Sequence, residues 1–115
     1  MVTAGGWLLK DGVVLATTEV ADSATARMRG LLGRSSFEGA LLLPRTRSVH
    51  TMAMRFAIDV AFLDRELKVV DVVCVPPWRM TLPRRGARSV LEAEAGAFER
   101  WGLRSGDRLE LRPAL

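Results

Sequence analysis

With 115 residues, 49% of them hydrophobic, the chain is long enough to bury one core and too apolar to be disordered. Its net charge of +4 comes from 17 basic and 13 acidic residues, nearly all the basic ones arginine, which permits contact with an anionic partner without demanding one. No apolar run approaches the roughly 20 residues of a membrane span, and residues 1–6 lack the basic cluster of an export signal, so the expectation is one soluble cytoplasmic domain over 1–115.

In chain order, the apolar residues 7–9 end at Lys10-Asp11-Gly12, and Asp-Gly between β-forming residues predicts a hairpin whose second strand runs over 13–20. Asp22 or Ser23 can cap a helix near 22–34, with Ala24, Met28, Leu31 and Leu32 as its apolar stripe. Gly30 inside that helix costs about 1 kcal/mol relative to alanine, and Gly33 is the expected cap. Residues 40–43 form a short buried strand stopped by Pro44, and 45–48 form an exposed connection.

Residues 54–63 alternate well enough to predict a strand, with Phe56, Ile58, Val60 and Phe62 on one face. A turn at 64–66 leads to 67–75, the most β-branched run and hence the expected central strand. Pro76-Pro77 ends it, because proline cannot donate to a ladder. Residues 78–88 are an irregular basic segment, 89–93 a short strand, 96–101 a short helix capped by Gly102, and 109–111 a last strand. The class that follows is α+β, mainly antiparallel, with a small barrel-like sheet.

Several polar residues have chemistry to offer. Imidazole near a carboxylate is the equipment of general acid–base catalysis, which singles out His50 and Asp59 for a small hydrolase or isomerase. No nucleophile motif surrounds Ser48 or Thr51, however, and no catalytic residue is assigned. Arg27, Arg34 and Arg55 can bind a carboxylate or phosphate through paired N–H groups, or each can bridge to Asp59 or Glu92 within the fold. Asp59 and Glu92 are also a pair of acids in apolar strands. Trp78 with Arg79, Arg84, Arg85 and Arg88 offers stacking and phosphate contacts to single-stranded nucleic acid, though no recognition motif accompanies them and nucleic acid is the less favoured partner. The single cysteine, Cys74, lies in an apolar run and is expected to be buried and inert. One histidine and one cysteine leave a metal site dependent on carboxylates, so no metal and no cofactor is expected. Oligomeric state has no signature in the sequence.

Four blocks in order carry a family resemblance. Arg27-Met28-Arg29-Gly30-Leu31-Leu32-Gly33-Arg34, the stretch from His50 through Asp59 to Asp64, Ala87-Arg88-Ser89-Val90-Leu91-Glu92 with Ala95-Gly96, and Gly102-Leu103-Arg104-Ser105-Gly106-Asp107 together resemble the prokaryotic domain of unknown function 192, or UPF0127-like, family. The resemblance covers about residues 10–112 and implies a compact mixed domain with a barrel-like sheet and no established activity. Some members carry export signals or lie beside pilus and secretion genes. Ala53 and Ala57 stand where the most similar subfamily has glycine and proline, and Met52 replaces an aromatic. The resulting expectation is a non-enzymatic binding or accessory domain, holding a small anionic ligand or a partner's peptide near His50, Arg55 and Asp59, with Arg27, Arg34 and Glu92 as further ligand-binding candidates.

Overall fold

A computed structural model describes residues 2–34 and 37–113. Seven strands and two short helices follow one another as β1 (Val2–Lys10), β2 (Val13–Ala21), α1 (Ala24–Arg29), β3 (Ala40–Pro44), β4 (Ile58–Leu63), β5 (Val69–Val75), β6 (Ser89–Glu94), α2 (Ala97–Trp101) and β7 (Leu109–Pro113). They form one mixed sheet in the order β5-β4-β6-β3-β2-β1-β7. Every neighbouring pair is antiparallel except β2 and β3, which the α1 crossover joins in parallel.

The β1–β2 turn is the predicted Asp11-Gly12 hairpin. Both residues take positive φ (52° and 78°), the backbone that a two-residue turn requires and that glycine adopts without steric cost. The sheet is open and does not close into a barrel. Its two edge strands meet at one corner, where Lys68 and Arg108 form an isolated antiparallel bridge and the Val69 N–H donates to the Asp107 carbonyl at 2.7 Å.

Period-two alternation sends side chains to two cores, one on each face. Val60 and Phe62 of β4, Val90 of β6 and Leu41 and Leu43 of β3 pack with Ala26 and Leu31 on the α1 side. Ala61, Leu63, Leu91 and Ala93 pack with Ala97, Phe98 and Leu103 on the α2 side. Because both faces of β4 are covered, all six of its residues are buried.

Three expectations are corrected. The β-branched run over 67–75 is not central: β5 is an edge strand, and β4 and β6 lie inside the sheet. β-branching reports a fit to a pleated surface, not a position in the strand order. The helix near 22–34 is shortened to α1, because Gly30 turns the chain out of it at φ 51° while its N–H closes the last bond to the Ala26 carbonyl. With the helix interrupted, half of the predicted stripe fails: Ala24 and Met28 are exposed, whereas Leu31 is buried, Leu32 packs against the same core, and Ala26 joins them. The strand over 54–63 is regular only from Ile58, since residues 52–56 turn, with Ala53 at φ 63°. The short helix near 96–101 stands as α2, with Gly102 in the left-handed conformation at its end.

Candidate ligand cavity

Residues 49–51 run antiparallel to 79–81, which fixes His50. The Thr51 N–H donates to the Arg79 carbonyl at 2.7 Å, and the Thr81 N–H donates to the Val49 carbonyl at 2.9 Å. Thr51 is fully buried, and its hydroxyl donates to the Pro76 carbonyl and accepts from the Arg79 N–H. Alternation then turns Val49 and Thr51 inward and His50 outward, toward α1. His50 Nδ1 accepts the Met52 N–H at 3.3 Å, so the ring proton sits on Nε2, which donates to the Met28 carbonyl at 3.2 Å. Both ring nitrogens are engaged, leaving no lone pair for a general base.

Beside His50 lies a cavity of about 380 Å³ between α1 and the connection over 45–48. Arg27, Arg29, Arg45, Arg47, Ser48, His50 and Glu92 are among the residues lining it. Glu92 pairs with Val60 on one side and Leu41 on the other, which puts its carboxyl in the middle of the sheet on the α1 face. It is 3% exposed. Burial pushes its pKa up to about 7, opposed by a hydrogen bond from the Leu31 N–H. Two buried polar atoms at this cavity, Glu92 Oε1 and Arg27 Nη1, have no hydrogen-bond partner among the described residues. Such atoms are uncommon, because each forfeits its hydration without replacement. Four arginines and one buried carboxyl among the lining residues make the cavity electropositive.

Of the residues singled out from the sequence, the cavity brings together Arg27, His50 and Glu92. Arg34 is turned away: its two terminal nitrogens bind the two oxygens of Glu19, each at 3.2 Å, and its guanidinium lies over Phe37. Arg55 is exposed and lies outside the lining. Asp59 faces the α2 side, where its Oδ2 accepts the N–H groups of Gly96 and Phe98, both at 3.0 Å, and anchors the start of α2. It borders a separate hollow with Cys74 and Phe98, so His50 and Asp59 share no cleft.

Cys74 is exposed on the edge strand, which corrects the expectation of a buried thiol. Partial burial of the sulfur, and then the adjacent Asp59 carboxylate, nevertheless raise its pKa, so it is not an activated nucleophile. In the basic segment, Arg84 is taken up internally: it binds Asp71 at 2.9 Å and lies 4.6 Å from the centre of the Phe62 ring. Trp78, Arg79, Arg85 and Arg88 remain exposed. The connection over 45–48, expected to be merely exposed, contributes Arg45, Arg47 and Ser48 to the cavity wall.

Among the described residues no cluster of three or more His, Cys, Asp or Glu could hold a metal ion, and no helix is long and apolar enough to cross a membrane.

Comparison with known proteins follows the same outline. The family DUF192 (Uncharacterized ACR) matches residues 8–111. A UPF0127 protein of Pyrococcus furiosus is 40% identical over 95 residues, covering 78% of this chain and 82% of the relative. Among solved structures, a protein described as a candidate transcription regulator from Sinorhizobium meliloti aligns with a TM-score of 0.77 at 25% identity, over 91% of this chain and 90% of the other. A protein of unknown function from Novosphingobium aromaticivorans aligns with a TM-score of 0.73 at 22% identity, over 95% and 82%.

Proposed function

The chain belongs to the DUF192 family, and from that premise we propose that residues 1–115 act as one non-enzymatic binding domain whose cavity between α1 and residues 45–50 holds a small carboxylate or phosphate. The observation that carries this reading is the pair of unpartnered buried atoms, Arg27 Nη1 and Glu92 Oε1, at one arginine-lined cavity. An anion's oxygen would satisfy Arg27. A hydroxyl or protonated amine on the same ligand would satisfy Glu92, or a protonated Glu92 would itself donate to the anion. The binding site therefore moves from the expected His50–Arg55–Asp59 set toward Arg27, Arg47 and Glu92, with His50 as a wall held by its own hydrogen bonds. A hydrolase or isomerase using His50 with Asp59 lacks support, since the two border different hollows and both His50 nitrogens are occupied.

A thermal-shift series with inorganic phosphate, sulfate, succinate and malate tests the reading, each protein being compared with its own ligand-free baseline. Wild type and Arg55→Ala are expected to be stabilised by the same anions, while Arg27→Ala and Arg47→Ala lose the response. Equal stabilisation of all four proteins would place the anion elsewhere and sink the proposal.

A further inference from the structure

Charge is divided sharply along this chain. Ten arginines fall in the segments 24–34, 45–57 and 76–88, and none of the 13 acidic residues does. The three segments are contiguous in space. His50 joins the Met28 carbonyl, the Thr46 N–H donates to Arg88, and the Arg84 N–H donates to Arg47. After Arg34 pairs with Glu19 and Arg84 with Asp71, the other eight have no carboxylate partner among the described residues.

The same surface carries an apolar row. The bridge sets His50 beside Met80, and Met52, Trp78 and Leu82 each lie two residues from it along the two segments. Met80 is 71% exposed, Leu82 78%, Trp78 60% and Met52 43%, with Met28 of α1 at 74% nearby. Single exposed apolar residues are ordinary, but five large ones carried by three adjoining segments that hold no acidic residue mark an interaction site.

We infer that this face docks an acidic, amphipathic segment of a partner protein, its apolar side chains on the Trp78–Met80–Leu82 row and its carboxylates on the flanking arginines. The inference goes beyond the cavity reading: the two share Met28, His50 and the arginines of the cavity wall, but Met52, Trp78, Met80 and Leu82 lie outside that lining. Composition decides the class of occupant. Tryptophan, methionine and arginine are enriched at protein interfaces and lysine and acids depleted, and methionine in particular forms adaptable protein-binding surfaces. Single-stranded nucleic acid is stacked on successive aromatic side chains, and Trp78 is the only aromatic in this exposed row. Membrane-surface binders combine Trp, Phe and Leu with lysine as well as arginine, whereas these segments hold no lysine.

The test uses the full chain with labelled methionine methyl groups and a synthetic helical peptide bearing leucines on one face and glutamates on the other. Comparison probes are the same peptide with lysine for glutamate, the same with serine for leucine, phosphatidylglycerol vesicles, and oligothymidine. The Glu/Leu peptide is expected to shift Met28, Met52 and Met80 while the buried Met54 stays still, and to bind best of the five. Trp78→Ser combined with Met80→Ser should weaken it about tenfold or more, whereas Val13→Ser with Val14→Ser on the β1–β2 hairpin should not. Absence of methionine shifts, equal binding by the Trp78/Met80 variant, or preference for vesicles or oligothymidine would each overturn the inference. Anion stabilisation through Arg27 is read separately, so the two proposals fail independently.

Discussion

Asp59 and Glu92 point to opposite faces of the same sheet. Asp59 stands opposite Ala93 in the β4–β6 ladder and Glu92 opposite Val60, and alternation does the rest. One carboxylate anchors α2; the other is buried behind α1 beside an electropositive cavity. Two acids in apolar strands thus have separate roles, and each role gives its own measurable outcome.

Asp59→Ala removes the acceptor for the Gly96 and Phe98 N–H groups, both of which would be left unsatisfied. A loss of about 1–3 kcal/mol is expected in urea unfolding, with Asp59→Asn, which keeps one acceptor oxygen, losing less. Asp59→Asn should also speed alkylation of Cys74 near neutral pH, because the neighbouring negative charge helps hold the thiol protonated. An unchanged alkylation rate would show that the carboxylate does not influence the sulfur.

Glu92 makes stability depend on pH. Its folded value of about 7 lies above the ordinary 4.5, so between the two the folded protein keeps a proton that the unfolded chain releases. Stability is therefore full at acidic pH with respect to this group and falls as pH rises from about 5 through about 7, by up to about 3 kcal/mol. Glu92→Gln should flatten this part of the profile in denaturant titrations. A variant that retains the same slope would assign it to another group.

Arg27 is expected to exchange stability for binding. A buried guanidinium nitrogen without a partner is costly, and an apolar replacement of similar length removes that cost. Arg27→Met should unfold at the same urea concentration as wild type or a higher one while losing its response to phosphate and succinate. A large loss of stability with anion binding intact would mean that Arg27 serves the fold alone.

Gly30 tests whether the shape of the cavity matters. A Cβ there would meet Glu92 Oε1 at 2.9 Å, and the φ of 51° is itself strained for an L side chain. Gly30→Ala should cost roughly 1–3 kcal/mol and abolish the anion response. Gly86→Ala, at φ 83° with open space around it, should cost stability and leave that response intact.

The sequence made the succession of elements legible because local chemistry sets it: Asp11-Gly12 for the hairpin, Pro76-Pro77 for the end of β5, Gly102 for the end of α2. Strand order was less legible, since the run over 67–75 reads the same at an edge as at a centre. The candidate site was half visible. Arg27, His50 and Glu92 stood out by type, but two of the cavity's other arginines, Arg45 and Arg47, came from a connection without periodicity, and only the tertiary fold brings them against α1. Asp59 was singled out as a carboxylate partner for the His50 imidazole, and no local pattern announces that it anchors a helix more than thirty residues later.

The pairing of β1 with β7 sets Gly6 against Pro113 and Lys10 against Leu109, strands from opposite ends of the described chain. That ladder has one of the largest loop-closure costs in the fold, so folding is expected to be slow for a domain of this size, as it is where distant pairings dominate. Until β7 arrives, β1 offers an unpaired edge with Trp7 exposed beside it, the kind of template on which nascent or truncated chains aggregate. Loss of the last strand would consequently surface first as insolubility, before any effect on the cavity, which β7 does not line.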